Sequence, residues 1–238
     1  MLHLHPSTLD PESRPAAPLI SARGITRRRG PRTLWHDLTF DVAPGASVAV
    51  TGRSGTGKTS LLSCLGLLDR VDSGTLHMAG TDVTRVSRAA RRGLFRGTVG
   101  HLFQNYALVE AWTVAANVDV AFIGDRMTRA ARAERREAAL DRVGLVGYGR
   151  RPVHSLSGGE QQRVALARLM VRRPSIVIAD EPSAALDWDN VAMVLEVLDD
   201  LRLAGSALVV ATHDDRVVDW CTETLTLGSP SGARRDPA

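Results

Sequence analysis

The chain has 238 residues, 44% hydrophobic, 24% charged and 4% aromatic, which suits one large domain, or one domain with an inserted subdomain, and excludes wholesale disorder. Its formal net charge is +4, but arginines and acids are interspersed, so the basic excess reads as a solvated surface, or one facing anionic lipid, and no nucleic acid partner is expected. No apolar run approaches the ~18–20 residues that span a bilayer, so the chain is not expected to be an integral membrane protein.

Residues 1–18 carry four prolines and little apolar periodicity, so they read as a mobile tail. The opening MLHLHPSTLDPESRP lacks an apolar core with a basic flank, so no cleaved secretory signal is expected. Strand-type runs follow at 19–22, 38–42 and 47–51. Helical periodicity covers 59–68, and another strand reads at 75–78. From 84 to 156 the chain is rich in Arg and Ala, is mostly helical in pattern, as at 129–143, and has no strong buried strand. It reads as a helical subdomain inserted into the core. Helix 159–171, strand 176–179, helix 191–203 and strands 207–211 and 224–227 complete the order, and 229–238 reads as a second tail. The runs SVAVT, IVIA and ALVVA are continuous rather than alternating, as in strands buried on both faces of a parallel sheet. Strand then helix, repeated, argues an α/β fold. Cys64 and Cys221 make neither a disulfide framework nor a zinc pattern, which points to a reducing compartment.

Residues 52–59, GRSGTGKT, fit G-x-x-x-x-G-K-[ST] between a strand and a helix, the context this motif requires. The glycines let successive N–H groups turn inward, and the following helix adds its positive end. Gly52, Arg53, Ser54, Gly55, Thr56, Gly57, Lys58, Thr59 and Ser60 are therefore the expected phosphate-binding residues. Lys58 is placed to reach the β and γ phosphates, and Thr59 to put its hydroxyl on Mg²⁺. Of the 30 basic side chains 29 are Arg and one is Lys58. Where arginine is used throughout, a lone lysine marks a site that the planar fork does not fit. Residues 176–181, IVIADE, end a strand in two carboxylates. Ligands sit at the carboxyl ends of strands in such sheets, so Asp180 is expected in the Mg²⁺ shell and Glu181 as a base toward water.

Residues 156–162 read LSGGEQQ. With the glycine loop, this resembles the ATP-binding-cassette (ABC) ATPases, over about residues 19–228. The resemblance implies an α/β P-loop core with a small antiparallel β part and an inserted helical subdomain. It implies that Leu156, Ser157, Gly158, Gly159 and Glu160 form the signature, with Ser157 to Glu160 meeting the γ-phosphate held by an opposite protomer. Gln104 in HLFQN resembles the glutamine at Mg²⁺ and the attacking water. The segment Ser183, Ala184, Ala185, Leu186, Asp187 resembles the loop crossing the dimer interface, and His213 the switch histidine. The position of the family's usual adenine-stacking aromatic falls near Arg29, while Trp35 reads as core.

The resemblance implies hydrolysis of ATP with Mg²⁺ by a head-to-tail homodimer. Separate integral-membrane permease subunits would carry the spans, placing the chain on the cytoplasmic face of the cell membrane. The segment FQNYALVEAWTVAANV resembles ATPases of the lipoprotein-release, macrolide-export and cell-division group. Residues 105–118 are the expected permease contact, through Tyr106, Leu108, Val109, Trp112 and Val114. A soluble ABC-type ATPase is the alternative. A P-loop GTPase is excluded, because an Asn-Lys-x-Asp base reader needs a second lysine.

Overall fold

The computed structural model describes residues 17–183, 188–228 and 234–237. A four-stranded antiparallel sheet has the order β2-β1-β4-β5, built from β1 (Ile20–Arg29), β2 (Arg32–Val42), β4 (Ser73–Met78) and β5 (Thr81–Asp82). A second sheet has the order β10-β9-β3-β8-β7-β6. It comprises β3 (Ser47–Thr51), β6 (Val99–Leu102), β7 (Ile176–Asp180), β8 (Ala207–Ala211), β9 (Glu223–Thr226) and β10 (Arg234–Pro237). Its strands β9, β3, β8, β7 and β6 run parallel. The helices are α1 (Lys58–Leu65), α2 (Arg88–Gly97), α3 (Val114–Asp119), α4 (Arg129–Arg142), α5 (Gly158–Arg172), α6 (Trp188–Leu203) and α7 (Asp215–Trp220). None among the described residues is long and apolar enough to cross a membrane.

The continuous apolar strands are explained by two cores, one on each face of the parallel sheet. Val177, Ala179, Leu208 and Val210 point into a core shared with α3, α4, α5 and α6. Their neighbours Ile176, Ile178, Val209 and Ala211 point the other way, onto α1 and the antiparallel sheet. Successive side chains on a strand face opposite sides, so a strand covered on both sides has no polar position to alternate with. Each fully buried Val, Leu or Ile contributes roughly 1.5–3 kcal/mol. By contrast β2 buries only Trp35, Leu38, Phe40 and Val42, in a largely alternating pattern.

Three features depart from the sequence reading. The segment 84–156 does contain a core strand. β6 lies parallel to β7, with Val99 opposite Ile176 and Leu102 opposite Ala179. Gly100 permits this, since a Cβ there would lie 2.5 Å from both Leu169 and Pro174. Helix α1 stops at Leu65 instead of continuing to 68, because Leu67 takes a left-handed φ of 60°. Residues 234–237, within the segment read as a tail, pair antiparallel with β9 and occupy backbone groups along its outer edge.

Candidate nucleotide site

β3 delivers the glycine loop, and α1 begins directly after it, at Lys58. Two glycines are obligatory. Gly52 has φ 138°, and a Cβ there would lie 2.7 Å from the Leu227 carbonyl oxygen. Gly57 has φ 95° and lies against Leu34 and Trp35, at 3.0 and 3.1 Å from a built Cβ. The Thr56 amide and hydroxyl both donate to the Arg53 carbonyl, at 3.2 and 2.9 Å. Lys58 Nζ donates to the Gly52 carbonyl at 2.7 Å. The first turn of α1 holds no acidic residue, so nothing there offsets the positive end of the helix for an incoming anion.

β7 brings two carboxylates to the same place. Burial, then Glu181, raise the Asp180 carboxyl above its ordinary range, while the hydrogen-bonded Thr59 hydroxyl and Lys58 pull it down. Glu181 sits at φ 49°, uncommon for a residue with a Cβ. Its amide donates to the Ala211 carbonyl at 2.9 Å, which holds the turn that aims its side chain. His213, just after β8, places Nδ1 2.8 Å from Glu181 Oε2. The close contact with Glu181, and its charge, raise the His213 pKa above the ordinary value. His213 is 77% exposed and Glu181 17%, so the pair joins solvent to a sheltered carboxylate.

These groups line one cavity of about 550 Å³. Gly52, Ser54, Gly55, Gly57, Lys58, Thr59 and Ser60 form one wall, and Gln104, Asp180, Glu181 and His213 face them. Arg53 and Thr56 stand outside the lining and shape the turn instead. Arg29 and Leu34 complete the lining, and among the described residues it contains no Phe, Tyr or Trp. Trp35 is buried at 6% exposure and donates from Nε1 to the Gly57 carbonyl at 3.4 Å, so it is a core residue that supports the loop. Arg32, which sequence reasoning passed over, donates from Nη2 to the Gly55 carbonyl at 3.0 Å. That contact joins the start of β2 to the loop after β3, in different sheets, and no local signal announces it.

The LSGGE residues are not brought into this cavity. Ser157 caps α5. Its amide donates to Glu160 Oε2 at 2.8 Å, and its hydroxyl accepts from the Glu160 amide at 3.3 Å. The hydrogen bond donated by the Ser157 amide holds the Glu160 carboxyl below its ordinary range, so that side chain serves the cap. Gly158 opens onto free space, and Gly159 lies near Asn190. Asp187 falls outside the described residues. In the segment 105–118 the expected apolar surface is only partly exposed. Val114 is fully buried, and Tyr106 and Leu108 pack against the helical core. Val109 and Trp112 remain open, at 43% and 47%.

The family model described as "ABC transporter" matches residues 35–184. The chain is 40% identical over 206 residues to a macrolide export ATP-binding/permease protein, MacB 1/2, of Paracoccus denitrificans, covering 84% of this chain and 31% of that protein. It is 42% identical over 193 residues to an uncharacterized ABC transporter ATP-binding protein of Mycobacterium bovis, covering 80% of this chain and 58% of the other. A pyoverdine export ATP-binding/permease protein, PvdT, of Pseudomonas aeruginosa is 36% identical over 202 residues, 83% of this chain and 30% of that protein. The chain therefore spans under a third of the two export proteins and somewhat over half of the mycobacterial one. Among solved structures, the dimeric post-hydrolysis state of the ATP-binding cassette MJ0796 bound to ADP and Pi superposes with a TM-score of 0.83. It is 26% identical, and the match covers 92% of this chain and 98% of that one. With its family model matched over more than half its length and the glycine loop, the carboxylates and His213 lining one cavity, the chain belongs to the ABC transporter family.

Proposed function

We propose that this chain is the ATP-hydrolysing subunit of an exporter whose membrane spans lie in partner subunits. One observation carries the reading. The cavity gathers the glycine loop, Lys58, Gln104, Asp180, Glu181 and His213, while the Ser157 cap of α5 stands outside it. Such a site holds a triphosphate yet lacks the second anion clamp that the chain itself carries. Head-to-tail pairing of two copies supplies the missing half, each Ser157 end closing on the other's nucleotide. MJ0796 was solved as a dimer, which supports pairing.

In this reading the loop amides and Lys58 hold and orient the β and γ phosphates. Thr59, Asp180 and Gln104 offer hydroxyl, carboxylate and amide oxygens, a hard donor set that fits Mg²⁺. Those three residues would hold the ion, which supplies neutralisation of phosphate charge when bound. Glu181 accepts a proton from the attacking water at its carboxylate. His213, at 2.8 Å from Glu181 Oε2, fixes the orientation of that carboxylate. Arg29 stacks on the base in place of a ring.

Closure around ATP and reopening after hydrolysis deliver the work to a permease at the cytoplasmic face of the membrane. Within residues 105–118, Val109 and Trp112 are the large apolar side chains left exposed, and they form the centre of that contact. The MacB and PvdT relatives are named as export proteins, which supports export. Measurement of phosphate release from ATP with Mg²⁺, for the wild-type chain and Glu181→Gln, tests the proposal. Wild-type turnover that Glu181→Gln nearly abolishes supports it. Equal turnover in the two proteins removes Glu181 from the reaction.

A further inference from the structure

Helix α5 touches more of the site than its capped end suggests. Gln162, buried at 3% exposure, donates from Nε2 to the Pro182 carbonyl at 2.7 Å, one residue past Glu181. Arg168, further along, donates from Nη1 to the Ala107 carbonyl at 2.8 Å and from Nη2 to the Tyr106 carbonyl at 2.7 Å. Those two carbonyls lie just beyond Gln104, so α5 is bonded to the segments that follow both Gln104 and Glu181.

The turn that Arg168 holds is unusual. Tyr106 and Ala107 take φ values of 59° and 46° in succession, both in the left-handed region. Side chains with a Cβ rarely adopt it singly, and then only where surrounding contacts impose it. The Tyr106 amide donates to Phe103 at 2.9 Å and the Ala107 amide to Asn105 at 2.7 Å, so the chain reverses tightly around Gln104. The reversal makes two consecutive carbonyls converge on one guanidinium. A planar fork with two parallel donors fits that pair, whereas an ammonium offers a single point of charge.

The fork is itself rigidly held. Arg168 stands between Ala167 and Leu169, which are 0% and 3% exposed, so the rotation of α5 about its axis is set by packing. Burial, then neighbouring Arg172, lower the Arg168 pKa from its ordinary value, and the two carbonyl dipoles compensate that placement.

We propose that Arg168 is a positioning residue for Gln104, which makes the place of Gln104 in its own nucleotide site depend on the docking of the Ser157 end of the same helix. The proposal rests on the roles given above to Gln104 and Ser157. Docking of Ser157 on the partner's nucleotide shifts α5 as a unit. The Arg168 fork carries that shift to the 106–107 turn, and so to the Gln104 amide. Each site in the dimer thereby senses whether the other is filled, a coupling that appears as cooperativity in ATP.

Arg168→Lys in the full-length chain tests this, since it keeps the stem and the charge and removes the fork. Hydrogen exchange of amides 103–109 should rise about tenfold, with amides 158–166 unchanged. Turnover should fall about ten- to a hundredfold, ATP affinity should stay within about twofold of wild type, and the Hill coefficient should drop toward the non-cooperative value. Arg168→Ala should do the same more strongly; where it fails to fold, Arg168→Lys decides. Wild-type turnover and cooperativity in folded Arg168→Lys overturn the proposal. So does a rise in exchange along all of α5 with affinity and turnover falling together, which is the mark of a merely structural arginine. Gln104→Ala separates the two readings. If it alone is defective, the tie through Arg168 fails while the role of Gln104 stands. If Gln104→Ala turns over normally, the underlying assignment of Gln104 fails, and the proposal with it.

Discussion

Lys58 Nζ donates to the Gly52 carbonyl at 2.7 Å, so the glycine loop closes on the one lysine of the chain. The ammonium is thereby held against the loop, in the cavity that Ser54 and Gly55 also line. A guanidinium is wider and planar and cannot occupy that point without opening the loop. Lys58→Arg should therefore lower nucleotide affinity by at least about tenfold, or 1.4 kcal/mol, with hydrolysis falling in step. Fluorescent-nucleotide titration beside phosphate release measures both, and wild-type affinity in the variant would refute the fit argument.

Base recognition should be loose. Arg29 and Leu34 line the cavity with no Phe, Tyr or Trp beside them among the described residues, and Trp35 is committed to the core and to the Gly57 carbonyl. An exposed guanidinium over a base is worth ~1 kcal/mol. GTP should then compete with ATP within about tenfold, since one decade is 1.4 kcal/mol. Competition binding checks it, and discrimination above about a hundredfold would mean that another group reads adenine.

Trp112 and Tyr106 should separate docking from packing. Trp112 is 47% exposed, so Trp112→Ala should leave stability within about 0.5 kcal/mol and nucleotide binding intact, yet weaken co-purification with a permease. Tyr106 packs against the helical core and sits at φ 59°, so Tyr106→Ala should cost more than about 1 kcal/mol. Thermal denaturation and pull-down of both variants decide. Equal co-purification of Trp112→Ala and wild type would move the docking surface elsewhere.

The parts of the site that are local in sequence were legible there. The glycine loop is one uninterrupted motif, and Asp180 and Glu181 follow an apolar run whose burial on both faces leaves them at its open end. Strand β6 was not legible. Its four residues include Gly100 and His101, and it becomes a strand by pairing with β7 while Gly100 admits Leu169 and Pro174. The inward sense of Val114, within the stretch 105–118, was not legible for a related reason. Helix α3 turns Val114 and Val118 inward, and a six-residue helix shows too little periodicity to reveal its face. The bonds of Arg32 to Gly55 and of Arg168 to Tyr106 and Ala107 link residues far apart in the chain. Only the folded arrangement exposes them.

Under the proposed function the cavity is half of a shared site, and Glu181 is its base. Size-exclusion of Glu181→Gln with and without Mg·ATP, beside its turnover, tests this most directly. Retained ATP binding, hydrolysis reduced ~10²–10⁴-fold, and a dimer that forms only with Mg·ATP are expected. A monomer under saturating Mg·ATP, with turnover equal to wild type, would contradict both the shared site and the role of Glu181.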